Sequence, residues 1–597
     1  MLKLFPVFVF LAALWLEMFS ACSNSEYVDE YDMFVSDSAF DEVSQDSIYV
    51  KDTLTDFPPS GFYPGSFIIL FPDNKTLNCA MGGAEPTLNS PALKNIRVDS
   101  SSVIRCVDFS TTPKTEIVRT YIFEKKPTIP VMFITTDPNS LFNPDTGIYM
   151  EGPNAGNDVL HQGANYWLDK EIPIFIELTE ADAYIPAFSK YAGLKIFGNF
   201  SRTKAKKSVA ITFREEYGEK RLNYMLFPEF PNLKSFKSFV LRNFGSRSGT
   251  DYIRDRLASS ISEGLNVDYQ RGRCVVAYYN GKYFGIHDMR ERSNEYYFET
   301  HYGMNHKNIN LLKADNSVSV GSSDDYVSLM NWIKDNNLEN EENYAYIASK
   351  IDIDNYINYM QVEMFAYNHD WPGNNLKKWN CTNPQTRWKW FLYDLDVTFG
   401  QIKEGNNLSN VFEYVLTENS DYHDNKPKYT FLFRSFFKNE KFRTAFINRM
   451  LALLQMNFES SRVLAQIEKK MNEIEVEIPR DQKRWLYDSS KMAEQLEIVK
   501  RFVIDRPSII VKDLQVYFKL NEIIPITLSV NGNGNILVHN LPLDGTPLTI
   551  SFFKGFPVTL TAEPHDGSSW SHWSDGDTSA TRIILPNKAQ TLMAIFK

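Results

Sequence analysis

Histidine and cysteine are scarce, at nine and five among 597 residues. Asn368-His369-Asp370 has part of the look of a metallophosphatase. The chain nevertheless lacks the further histidines in Asp-x-His and Gly-x-His contexts that such a centre needs. Cys274 and Cys381 have neither a Cys-x-x-Cys partner nor a His-rich neighbour, which argues against zinc. Basic excess is missing too: 63 Lys and Arg against 74 Asp and Glu give a net charge of −11. Without a basic stripe there is no footprint for a nucleic-acid partner. Beyond the first 21 residues no apolar run is long enough for a spanning helix.

The first residues read as a targeting segment. Lys3 is the positive region, Leu4 to Leu16 the apolar core, and Met18-Phe19-Ser20-Ala21 leads into Cys22. A stretch this short is a signal peptide rather than a membrane span. A Cys after small residues resembles a bacterial lipoprotein cleavage site; the alternative is an ordinary signal peptide with an incidental Cys. The expectation is a signal peptide over 1–21, lipidation at Cys22, and export to the bacterial envelope, at the outer membrane or cell surface. The lipid anchor would make the membrane a partner. Residues 22–58 are polar and acidic and read as a flexible tether. Export permits disulfides; Cys79 and Cys106 lie in one small β region, but spacing alone leaves their pairing open. Cys274 and Cys381 read as buried thiols.

Aromatic content is 14%, with 31 Tyr and 43 Phe, which favours β-rich folds. Residues 59–128 carry short β runs (Ser66–Phe71, Val103–Phe109, Ile117–Phe123) separated by turn signals at Pro72-Asp73-Asn74 and Gly82-Gly83, as in a small sandwich. Their order resembles the fibronectin-like accessory domain of chitobiase-type proteins. A middle region follows over 129–518. In it Asn280-Gly281 suits a type I′ hairpin turn. Thr250 or Asp251 can cap a helix striped by Ile253, Leu257 and Ile261. An amphipathic helix is expected over about 353–367. Phe442, Phe446, Met450 and Leu454 recur every fourth residue as a core stripe. Residues 519–597 turn β again, and Trp573-Ser574-Asp575-Gly576 resembles the turn of small repeat domains on bacterial surface proteins. The N-terminal module reads as a spacer, with glycan binding possible but unsupported.

The chemistry concentrates in 367–400. Asp370 is followed five positions later by Asn375, and an apolar run then leads to Asp394 and Asp396. Protein kinases perform phosphoryl transfer with such parts: an Asp for the substrate proton, an Asn for one Mg²⁺, and a later Asp for the metals. On an extended strand Asp394 and Asp396 share parity with Trp390 and Leu392, and two carboxylates on one face call for a cation between them. A surface Asp pair and an Asx-turn at Asp370 are the bland readings. His369 reads as a loop-orienting or solvent-facing residue. A phosphate-binding cation is sought at Lys206-Lys207-Ser208, where Lys207 shares parity with Val209 and Ile211 and would face inward, leaving Lys206 to face away.

Several segments occur in family order: Gly198-Asn199-x-Ser201-Arg202, Lys206-Lys207-Ser208, Leu241-Arg242-Asn243, Arg254-Asp255, Asn280-Gly281-Lys282 leading to Glu291, Asn-x-Asp-(x)₄-Asn, and Asp-Leu-Asp-x-Thr-Phe-Gly. Together they resemble the CotH-type spore-coat kinase family over about 130–515. The resemblance implies an α+β atypical protein-kinase-like core, flanked here by an N-terminal fibronectin-like sandwich and a C-terminal small β domain. It also implies transfer of the ATP γ-phosphoryl, with Mg²⁺ or Mn²⁺, to Ser or Thr of a protein substrate. Carried over, Asp370 is the catalytic Asp. Asn375, Asp394 and the accessory Asp396 are metal ligands. Lys206 or Lys207 meets the nucleotide, with Arg202 nearby and Glu263 or Glu291 as the lysine's ion-pair partner. His369 and Trp371-Pro372-Gly373 depart from the family pattern. A catalytically silent surface lipoprotein acting in binding or envelope structure is the alternative, because ATP is scarce outside the cytoplasm.

Overall fold

The computed structural model describes residues 53–54, 57–71, 75–111, 114–400, 410–418 and 427–597. The leader, Cys22, most of the acidic tether and the Pro72-Asp73-Asn74 turn lie outside the described residues. No described helix is long and apolar enough to cross a membrane.

Residues 53–122 form two sheets, of three and five strands. Cys79 and Cys106 face each other on paired antiparallel strands and form a disulfide. The sandwich packs on the next unit through Phe62, whose ring meets Phe133 and Tyr278 at 5.9 and 5.8 Å. The next unit is a closed seven-stranded barrel. Its strands run in the order Ile172–Thr179, Phe188–Phe197, Ser208–Thr212, Ser238–Arg242, Lys282–Glu291, Gly272–Tyr279 and Val131–Thr135. Asn280 and Gly281 both take positive φ (49° and 77°), as a type I′ hairpin requires.

The expected helix after Thr250 is shorter than its stripe, at Arg254–Ser260. Asp251 Oδ1 accepts from the Ile253 and Arg254 N–H groups and so closes its first turn. Arg254, Asp255 and Arg256 are buried with Leu257, because each is in an ion pair.

A five-stranded sheet follows, ordered 268–269, 389–392, 377–381, 309–313 and 318–320. The helix Ile353–Ala366 lies against it and, contrary to an amphipathic reading, is buried almost all round. Two of its polar residues bond inside: Asn355 accepts from Trp390 N at 2.6 Å, and Gln361 donates to Phe446 O at 2.9 Å. Helices between 411 and 518 cover this layer, with Phe442, Phe446 and Met450 fully buried on Glu440–Leu453. Two four-stranded sheets over 523–596 end the chain, and His539 Nε2 lies 3.0 Å from Asn448 Nδ2 of that helix. The free thiols of Cys274 and Cys381 are buried.

Two histidines make this packing pH-sensitive. Burial, reinforced by Lys206, lowers His287 to about 3, and burial with Arg449 lowers His539 to about 4. Both folded values lie below the unfolded value near 6.5, so each contributes stability that is present above pH 6.5 and lost as pH falls toward 3–4. Moving from pH 7 to 5 should cost about 2 kcal/mol per histidine. Thermal melts across that range should show the loss, and His539→Asn should reduce it by that histidine's share.

Candidate active site

The helix Ile353–Ala366 ends at Tyr367, whose φ of 52° and N–H bond to Glu363 O turn the chain into the loop of interest. Asn368 Nδ2 donates to Glu363 Oε2 at 3.0 Å, and Asn368 Oδ1 takes the Asp370 N–H at 3.1 Å. Burial pushes Glu363 up to about 8. His369 gives its N–H to Val397 O at 3.0 Å, and burial lowers its ring to about 4. It is therefore a neutral residue that orients the loop. Trp371 is locked at both ends, with Nε1 donating to Tyr359 Oη at 2.9 Å and its carbonyl accepting from Tyr414 at 2.6 Å.

This loop brings the motif residues together. Asp370 Oδ2 accepts from Asn374 Nδ2 at 3.0 Å and from Asn375 Nδ2 at 2.9 Å. The same Asn375 amide donates to Asp394 O at 3.0 Å. Parity does not place the two aspartates, however. The strand Lys389–Leu392 ends before them, and Asp394 has a φ of 57°. What gathers them is Arg242, at the end of a barrel strand. Its guanidinium reaches Asp394 Oδ1 at 2.5 Å, Asp255 Oδ2 at 2.6 Å and Asp396 Oδ2 at 4.0 Å. Burial works against the Arg242 charge, but the three carboxylates outweigh it and raise its pKa. Burial, then the Asp394 charge, raises Asp396 well above the usual carboxylate range, and Ser246 N donates to its Oδ2 at 2.7 Å.

Gly245, beside that contact, has a φ of 69°, and a Cβ there would sit 1.9 Å from Asp396 Oδ2. Lys377 is the other cation sequence reasoning missed. Its Nζ donates to Ser293 O and Oγ, both at 2.7 Å, and lies 4.2 Å over Tyr393. Burial, then Arg292, lowers it to about 7, while Asp394 pulls the other way. The spacing of Lys377 two residues after Asn375 was the available signal; Arg242 was visible only within a family-like segment.

The basic segment is arranged differently from expectation. Lys206 does not face away; it is fully buried, bonded to both Asp481 oxygens and to Ile286 O at 2.9 Å. The helix Ile478–Trp485 packs over the barrel strand 282–291 and brings Asp481 inward. Lys207 is also buried and donates to Arg202 O and Lys204 O. Arg202 donates to Gly198 O and Tyr166 O. The anticipated ion-pair partners are elsewhere: Glu263 is exposed, and Glu291 takes His301 at 2.6 Å and the Arg271 N–H at 3.0 Å. Asp481 fills their place at Lys206.

Among the described residues no cluster of three or more His, Cys, Asp or Glu forms a ready-made metal cage. The joined segments carry oxygen donors: the Asp394 carboxylate, half-exposed at 37%, and Asn375 Oδ1, which the bonds above leave unused. Such a set fits a hard divalent cation completed by water and phosphate rather than a closed protein site.

Two substitutions separate these roles. Gly245→Ala should displace Asp396 and cost about 1–3 kcal/mol in urea unfolding, whereas Gly82→Ala, with open space around it, should cost less. Lys206→Met leaves Asp481 buried without its cation and should cost about 3–5 kcal/mol; a stable Lys206→Met protein would refute the structural role.

Among solved structures, a Helicobacter pylori proinflammatory kinase, CtkA, is similar at 11% identity, over 55% of this chain and 92% of that chain, with a TM-score of 0.24. No curated protein matches. A family model described as CotH kinase protein matches residues 194–510, more than half of the chain, which includes Lys206, Arg242, Asp370, Asn375 and Asp394. The chain belongs to the CotH kinase family.

Proposed function

We propose that this site transfers the γ-phosphoryl group of ATP to a Ser or Thr hydroxyl of a protein substrate. The observation that carries the reading is the single Asn375 amide bonded to both Asp370 Oδ2 and Asp394 O. It ties the loop that would receive the substrate proton to the segment that would hold the metal. Asp370 accepts the hydroxyl proton, with its carboxylate edge fixed by Asn374 and Asn375. Asp394 and Asn375 Oδ1 would hold Mg²⁺ or Mn²⁺, which when bound supplies charge neutralisation on the phosphates. Lys377, next to Asp394, is better placed for a phosphate oxygen than Lys206, whose donors are spent on Asp481 and Ile286. Asp396 and Arg242 orient Asp394. Catalysis of this kind is mostly positioning and charge stabilisation.

The leader and Cys22 motif support placing this activity at the bacterial envelope, with the protein held by a lipid anchor. The two-sheet module before the core and the pair of four-stranded sheets after it support spacer roles.

Purified full-length protein with radiolabelled ATP and Mg²⁺ or Mn²⁺ should label itself or an envelope protein. Asp370→Asn should lower the rate by about 10²–10⁴, and Asp394→Asn should abolish the metal dependence. Equal labelling by wild type and both variants, or none with either metal, would refute the assignment.

A further inference from the structure

Lys377 and Lys378 are neighbours on the strand Lys377–Cys381, so their side chains leave opposite faces of the sheet. Lys377 goes to the Asp394 side. Lys378 goes to the other, where it lines a cavity of about 320 Å³. Lys378 is 3% exposed. Its ammonium lies 4.5 Å over the Tyr326 ring and donates to Lys313 O at 3.1 Å. An ammonium has three donors, and among the described residues this one has no carboxylate within ion-pair distance. The acid that acts on it, Asp315, is exposed and occupied by Ser317. Burial without an adjoining carboxylate disfavours the charged form and lowers Lys378 to about 7, so an anion beside it would favour the ammonium. Lys378 stands at the wall of a space large enough for a small ligand.

The remaining walls say what would enter. Tyr356, Trp371 and Trp390 are buried aromatic faces, and Lys334 is an exposed cation at the rim. Glu418, the other rim acid, lies 3.7 Å from Arg434. A planar ring suits the aromatic walls, and one anionic group on it would meet the Lys378 ammonium, which has no carboxylate beside it among the described residues. We propose that this cavity is a binding site for a small aromatic anion, separate from the Asp370–Asp394 site. Two residues of the phosphoryl-transfer loop, Trp371 and Leu376, form part of its wall, so an occupant touches the loop from behind.

The test uses phenyl phosphate as probe, by calorimetry and tryptophan fluorescence on the full-length protein. Wild type should bind one equivalent and change its fluorescence, because Trp371 and Trp390 line the site. Lys378→Met should weaken binding by about tenfold or more, and Met330→Trp, which enlarges a side chain of the cavity wall, should abolish it. Asp394→Asn should bind as wild type does, which separates this site from the phosphoryl-transfer reading. Absence of binding, binding unchanged in both Lys378→Met and Met330→Trp, or binding lost in Asp394→Asn would overturn the proposal. So would inorganic phosphate binding as tightly as phenyl phosphate.

Discussion

The carboxylates of the site are gathered by one guanidinium. Arg242 sits at the end of a barrel strand, yet its contacts are with Asp394 and Asp396, more than 150 residues later, and with Asp255 on the intervening short helix. Asp255 is shared with Arg290 at 2.5 Å and also takes the Leu395 N–H at 3.2 Å. Burial works to raise Asp255, and Arg290 and Arg242 overcome it to hold its pKa low. The barrel, the helix and the 394–396 segment are thus joined by charges that no one of them could bury alone. A single arginine fork makes this joint because it offers several donors in a fixed plane.

Much of the site was legible in the sequence, but by spacing more than by strand geometry. The five-residue interval between Asp370 and Asn375 survives folding because a tight loop is a local object, set by Tyr367 in the left-handed region and by the Asn368 bonds. The Asn280-Gly281 hairpin and the Phe442, Phe446, Met450 stripe are likewise local patterns. Parity failed where the strand stopped: extrapolating past Leu392 assumed an extended backbone that Asp394 abandons. It failed again at Lys206, since a barrel wall under the helix Ile478–Trp485 is covered on both faces, so inward and outward parity no longer separates buried from solvated. The helix Ile353–Ala366 misled for the same reason, with Asn355 and Gln361 turned inward to bond Trp390 and Phe446.

Lys206 shows why a lysine in a kinase-like segment cannot be assigned from position alone. A cation that meets a nucleotide needs donors free to leave the protein. Lys206 has Asp481 bonded through both oxygens, with Tyr252 also donating to that carboxylate at 2.8 Å. These are the features of a structural joint between barrel and helical layer. Lys377 differs in kind: its fixed bonds go to a serine carbonyl and hydroxyl rather than to a carboxylate, so its charge is not cancelled by an ion pair. Of the two, Lys377 is the one whose charged form an incoming phosphate would stabilise, since no carboxylate ion pair occupies it.

The same accounting bears on the carboxylates. Arg242 and Arg290 carry two positive charges against Asp255 and Asp394, and the raised pKa of Asp396 lets it share a proton rather than add a full third negative charge. The solvent-reached carboxylate is that of Asp394, 37% exposed, and Asn375 ties the main-chain oxygen of Asp394 to the Asp370 carboxylate. A cation arriving with phosphate would meet oxygen donors there without having to displace the arginine that holds the cluster together. The guanidinium thus serves the buried half of the carboxylate cluster and leaves the solvent-facing half for chemistry.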